Sequence, residues 1–88
     1  MLEAKTKIIN NAGLHARAAS KLVTLTSSFN SSIKIGQEKM VDGKSILSLM
    51  MLAATKGTVL KLEIEGRDEE QAMKAIKTLI NERFDEAE

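Results

Sequence analysis

Eighty-eight residues, 43% hydrophobic and 28% charged with a formal net charge of +1, suit one small globular domain and argue against disorder. The absence of cysteine excludes a disulfide framework and a thiolate metal site and fits a reducing compartment. With Phe29 and Phe84 as the only aromatic residues, recognition of nucleobases by ring stacking is disfavoured.

The charge is unevenly spread. Residues 1–62 carry nine Lys/Arg against three acids, whereas residues 63–88 carry four against nine. That bias is too weak for a nucleic-acid footprint but could turn the basic end toward an acidic partner. No apolar run is long enough to cross a bilayer, and residues 1–7 lack the basic-then-apolar layout of a signal peptide. A cytoplasmic chain without membrane insertion is therefore expected.

Residues 2–9 alternate, with Leu2, Ala4, Thr6 and Ile8 set against Glu3, Lys5 and Lys7, and predict a half-buried strand. Residues 10–13 (Asn-Asn-Ala-Gly) are turn chemistry. Ala18, Ala19, Leu22, Val23, Thr26 and Phe29 then recur at spacings of three and four, which predicts a helix over residues 16–27. The serine-rich stretch 27–32 ends it. A strand at 33–35 and a short one at 39–42 read as a hairpin around Gly36. Ser45 is placed to cap a second helix, apolar nearly all round through Ile46, Leu47, Leu49, Met50, Met51, Leu52, Ala53 and Ala54, with Gly57 as its stop. Residues 58–65 form the most regular strand. Asp68 is the expected cap of a third, amphipathic helix reaching about Phe84, and residues 85–88 read as a frayed acidic tail. The order is β-α-β-β-α-β-α in one domain, residues 1–88. One alternating face per strand implies an antiparallel or mixed sheet covered on one side by helices.

Chemistry concentrates at Gly13-Leu14-His15-Ala16-Arg17-Ala18-Ala19-Ser20. His15, the only histidine, falls at the start of the first helix, where backbone N–H groups lack partners and the helix dipole is positive. Such an end binds phosphate, and Arg17 adds a planar, permanently charged fork suited to phosphate oxygens. An ordinary imidazole titrates at about 6.5, so near neutrality much of it is available as a nucleophile. By position alone, a lone histidine in a small domain is more often a surface or capping residue than a chemical one. No second histidine, metal-ligand cluster, carboxylate pair or Walker-type loop is present, so neither a cofactor nor a metal is expected. What so small a chain could do is carry a group on its imidazole.

The motif Gly13-Leu14-His15-Ala16-Arg17-Ala18-Ala19 closely resembles the active-site motif of the HPr family, the histidine phosphocarriers of the bacterial sugar phosphotransferase system. The family form is G-[LI]-H-A-R-P-A, from which this chain departs at Ala18, where the family has proline. Gly43-Lys44-Ser45-Ile46-Leu47-Ser48-Leu49-Met50 is similar to the family's regulatory-serine segment. The resemblance covers essentially the whole chain and implies an α+β fold, the HPr-like open-faced β-sandwich: a four-stranded, mainly antiparallel sheet with three helices on one face.

It further implies a stoichiometric phosphocarrier rather than an enzyme, and a monomer. His15 would accept a phosphoryl group on Nδ1 from enzyme I, charged from phosphoenolpyruvate, and pass it to IIA domains of sugar permeases or regulatory equivalents. Arg17 and the backbone N–H groups of Ala16 and Arg17 would hold the phosphate. Ser45 would be a target of HPr kinase/phosphorylase in hosts that have one. Ile46, Leu47 and Met50, core residues by default, would instead form a partner-docking patch. An alternative role, a regulatory docking protein whose phosphorylation at His15 and Ser45 is the signal, has the same fold.

Overall fold

The computed structural model describes residues 1–87. Alternation along the N-terminal segment produces β1 (Leu2–Lys7), which pairs antiparallel with β4 (Val59–Glu65). Leu2 lies opposite Ile64, Ala4 opposite Leu62 and Thr6 opposite Leu60. Because side chains on a strand alternate faces, this register puts one row inward and leaves Glu3, Lys5, Lys7 and Lys61 outside. The hairpin β2 (Ser32–Gly36) and β3 (Met40–Asp42) joins through β2 on the other edge of β4. The sheet order is β1-β4-β2-β3 and every pairing is antiparallel.

Helices α1 (Ala16–Thr26), α2 (Ile46–Met51) and α3 (Glu69–Asn81) cover one face of the sheet in the arrangement of an open-faced β-sandwich. Leu60, Leu62 and Ile64 of β4 and Ile33 and Ile35 of β2 are buried against Ala18, Ala19 and Leu22 of α1 and Ala72, Met73, Ile76 and Ile80 of α3. Burying each large aliphatic side chain stabilises the fold by roughly 1.5–3 kcal/mol.

Helices α1 and α2 run antiparallel. The Leu14 N–H, just before α1, donates to the Ala54 carbonyl beyond the end of α2 at 2.9 Å. At the opposite end, Thr26 Oγ1 donates to the Gly43 carbonyl before α2 at 2.8 Å. The start of α1 and the end of α2 therefore share one end of the molecule.

Beyond shifts of one or two residues at strand and helix ends, the structure departs from the sequence reading at the end of α2, at the Asp68 cap and after α3. Helix α2 stops at Met51 rather than running to Gly57, because Ala53 takes a left-handed conformation (φ +51) while its N–H reaches back to the Met50 carbonyl. A left-handed residue closes a helix end, here without the glycine that usually marks it. Asp68 stands before α3 but its side chain makes no cap bond. Its carboxylate accepts instead from the Ser31 hydroxyl and from the N–H groups of Asn30 and Ser31, at 2.9 and 3.0 Å for the latter two, and staples the loop after α1 to the start of α3. The Ser31 hydroxyl and the Asn30 N–H, more than burial opposes, hold the Asp68 carboxyl below its ordinary value of 3.8. The staple is thus intact above that value and weakens as pH falls through the lowered one.

The third helix ends at Asn81, not near Phe84. The segment read as a frayed tail is ordered instead. Arg83, Phe84 and Asp85 (φ +58, +53 and +64) form a left-handed turn with the Phe84 ring fully buried. Only Glu88 of that tail lies outside the described residues. A hydrophobic anchor explains the difference: the acids Asp85 and Glu86 obscured what Phe84, four residues beyond Ile80, does by burying its ring.

Candidate functional site

Local chemistry dictates how His15 is held. Gly13 adopts φ +69, and a Cβ there would lie 2.5 Å from the Ala54 carbonyl oxygen. Only glycine fits both the angle and the close approach. It lets Leu14 bond to Ala54 and bury its side chain. The next residue, His15, is the N-cap of α1 in extended conformation (φ −83, ψ −179), and its carbonyl accepts the Ala19 N–H at 2.8 Å. Its side chain does not cap the helix. The imidazole is thus free to face outward at the positive end of an eleven-residue helix.

The ring has a partner that sequence reasoning missed. His15 Nε2 lies in hydrogen-bond contact with Oε2 of Glu86. An ionised carboxylate can only accept, so Nε2 carries the hydrogen; a neutral ring then has its lone pair on Nδ1. The other carboxylate oxygen, Oε1, accepts from Asn10 Nδ2 at 3.0 Å, and the same amide donates to the Gly13 carbonyl at 2.8 Å. Both of those partners are acceptors, which fixes the amide orientation. Asn10 is fully buried, and its Oδ1 has no partner among the described residues.

Burial pushes the Glu86 carboxyl up, but hydrogen bonds from His15 and Asn10 and the positive charges of His15 and Lys21 outweigh it. The group titrates below its ordinary 4.5. The sign follows from linkage: the stabilisation is fully present above 4.5 and is lost as pH falls through the lowered value.

Arg17 is exposed and makes no hydrogen bond or ion pair among the described residues. The Ala16 and Arg17 N–H groups, in the first turn, have no partner within the helix. Ala18, at the family's proline position, is completely buried in that turn. Ser45 caps α2, with its Oγ accepting the Ser48 N–H at 3.2 Å. It sits beside the far end of α1, about 16 Å along an eleven-residue helix from His15. Leu49 alone of α2 is buried. Ile46, Leu47 and Met50 are exposed, Leu47 by 70%, and Met51 joins them at 77%. These four are not the core residues that apolar content by default suggests; they form an apolar surface on α2.

Sequence offered a clue to Asn10 and to Phe84, though none to Glu86. The inward row Leu2, Ala4, Thr6, Ile8 extends by its own period to Asn10, and Phe84 is too apolar for a solvated tail.

A family model described as the PTS HPr component phosphorylation site matches residues 2–82. The chain belongs to the HPr family. Phosphocarrier protein HPr of Neisseria meningitidis serogroup A is 49% identical over 89 residues covering all of both chains. The HPr of Pseudomonas aeruginosa is 52% identical over 83 residues, 92% of each. The crystal structure of HPr-C-His from Thermoanaerobacter tengcongensis superposes with a TM-score of 0.95 at 43% identity over the whole of both chains. As an HPr, the chain is a phosphocarrier of the phosphotransferase system.

Proposed function

We propose that this chain takes a phosphoryl group from phosphorylated enzyme I on Nδ1 of His15 and passes it to IIA-type domains, as a stoichiometric carrier rather than an enzyme. The observation that supports this most directly is the His15 ring at the head of α1: Nε2–H is engaged by Glu86, the Nδ1 lone pair is left over, and unpartnered N–H groups of Ala16 and Arg17 begin the helix beside it. A phosphoryl group on Nδ1 would meet backbone donors, a positive dipole end and the Arg17 fork. Incubated with phosphoenolpyruvate and enzyme I of a related bacterium, the chain should gain one acid-labile, base-stable phosphoryl group.

Ala18 fits this reading. Proline in a first turn supplies a preset φ but no N–H. Alanine keeps the turn helical and adds one more donor to the anion site.

Arg17 is read as a phosphate ligand because it is exposed and unpaired among the described residues. Arg17→Lys keeps the charge and loses the bidentate fork. Phosphotransfer should slow by about tenfold, the effect of one lost charged hydrogen bond, while affinity for enzyme I changes less. Measuring transfer rate and binding on the same protein separates these, and equal losses in both would make Arg17 a docking residue.

The exposed apolar surface of Ile46, Leu47 and Met50 is read as the docking patch, with adaptable methionine suited to several partners. Ser45 lies at its edge and is read as a regulatory phosphorylation site. Being far from His15 along α1, a phosphate there would act on the patch rather than on the imidazole. Ser45→Asp puts negative charge at a helix start, where it is tolerated, but wets the rim of the patch. Thermal stability should hardly change while phosphorylation of His15 by enzyme I slows. A marked drop in melting temperature would refute the helix-end argument, and unaffected transfer would leave Ser45 only a cap.

A further inference from the structure

The carrier reading uses only the contact of Glu86 with the His15 ring; three features show how that carboxylate is brought there and held. The first is its route. Residues 83–85 adopt three consecutive left-handed conformations, none of them at glycine, and each is disfavoured for an L-residue. Nothing in α3 requires that turn. It is held by the buried Phe84 ring, by Lys21 Nζ donating to the Phe84 carbonyl at 2.9 Å, and by the Glu86 N–H donating to the Arg83 carbonyl at 2.9 Å. The second is its clamp. Asn10 Nδ2 fixes one carboxylate oxygen and leaves the other to His15. The third is the state of that clamp: Asn10 is wholly buried with Oδ1 unsatisfied among the described residues, an unfavourable placement for a residue that merely fills space.

We propose that Glu86 is a positioning residue for phosphoryl transfer, holding the Nε2–H of His15 so that Nδ1 is the nucleophile, and neutralising the charge the ring acquires when Nδ1 is phosphorylated. The inference rests on His15 being the phospho-acceptor.

The Nδ1 lone pair forms the bond to phosphorus; the bond from phosphorus to the donor breaks, and its electron pair leaves with enzyme I. Nε2 keeps its hydrogen, so the ring is left positive against the Glu86 carboxylate. In the return step the acceptor's nucleophile takes the phosphorus and the electron pair of the Nδ1–P bond goes back to the ring, which is again neutral.

Glu86 therefore faces a neutral donor before transfer and a cationic one after it. A hydrogen bond between two charged groups is the stronger of these. The carboxylate thus favours the phosphorylated state over the free one rather than binding both alike. The pair is only partly screened from water, with side-chain exposures of 34% for His15 and 17% for Glu86, which keeps the effect moderate. That suits a carrier, which must also release its cargo.

Glu86→Gln preserves size and one acceptor oxygen for Nε2–H, removes the charge, and gives up the bond from Asn10 Nδ2, which keeps its bond to the Gly13 carbonyl. In the full chain, equilibrated with enzyme I at a fixed ratio of phosphoenolpyruvate to pyruvate, this variant should lower the ratio of phosphorylated to free protein by on the order of 3- to 10-fold. Its melting temperature should fall by no more than several degrees, the effect of the one hydrogen bond to Asn10 that it loses. Glu86→Ala should in addition lose the exchange-protected Nε2–H signal of His15 in a proton–nitrogen spectrum, a readout that a merely structural role would not move. An unchanged phosphorylation ratio in Glu86→Gln would overturn the proposal. So would an increased ratio, which would mean that the carboxylate obstructs the ring. Failure of the unsubstituted chain to be phosphorylated at all would overturn the carrier reading and this inference with it.

Discussion

Replacing His15 by alanine is expected to abolish phosphorylation by enzyme I and to leave the fold standing. The first half follows from chemistry: the chain contains no second histidine and no cysteine, so the head of α1 would keep an anion site with no nitrogen nucleophile in it. The second half follows from what the side chain does not do. It forms no cap bond to α1, whose first carbonyl–amide contact uses the His15 backbone. What alanine removes is the tie to Glu86, a partly exposed contact of about 1 kcal/mol or less. Mass measurement of the phosphorylated protein before and after mild acid, beside a thermal melt, checks both halves on one preparation. Normal phosphorylation of His15→Ala would end the assignment of this residue. Phosphorylation of the unsubstituted chain that never passes to a IIA domain would favour a docking protein whose phosphorylation state is the signal.

Periodicity made most of the fold legible. Period two in residues 2–9 and 58–65 marked both long strands, and spacings of three and four marked α1 and α3, because burial on one face imposes those repeats. The site divided differently. Gly13, His15 and Arg17 are adjacent in sequence, so a motif could display them together. Glu86 reaches His15 from 71 residues away, and no local pattern records a contact of that separation. Its neighbours also misled: three acids among residues 85–88 have the composition of a solvated tail, and the decisive residue is the single aromatic before them. Asn10 was obscured for the opposite reason, since an asparagine beside a glycine turn has an adequate local explanation as turn chemistry. The end of α2 went unread because Ala53, rather than a glycine, takes the left-handed position. The apolar surface of α2 could not be separated from core by composition, as a helix apolar nearly all round is compatible with either until its neighbours are known.

Phe84→Ala is expected to have the largest effect on stability of any single change in the segment after α3. The ring is fully buried in the common core, and truncating a buried phenylalanine to alanine costs about 3–5 kcal/mol. For a domain of this size that is a large share of a total of roughly 5–15 kcal/mol, and it should lower the melting temperature by at least about 12 °C. A second consequence distinguishes this site from an ordinary cavity. Burial of the ring opposes the disfavoured left-handed geometry of residues 83–85, so the turn should relax once the ring is gone and withdraw Glu86 from His15. At a temperature where the variant is still folded, the protected Nε2–H signal of His15 should fade and the phosphorylated fraction should fall, although residue 84 touches neither the imidazole nor the phosphoryl group. If Phe84 acts on the histidine only through Glu86, adding Glu86→Gln to Phe84→Ala should lower that fraction no further, whereas independent routes would multiply the two losses. A destabilisation under about 1 kcal/mol would show that the segment is not packed as described. A large destabilisation with an undisturbed histidine signal would show that the turn survives without its anchor.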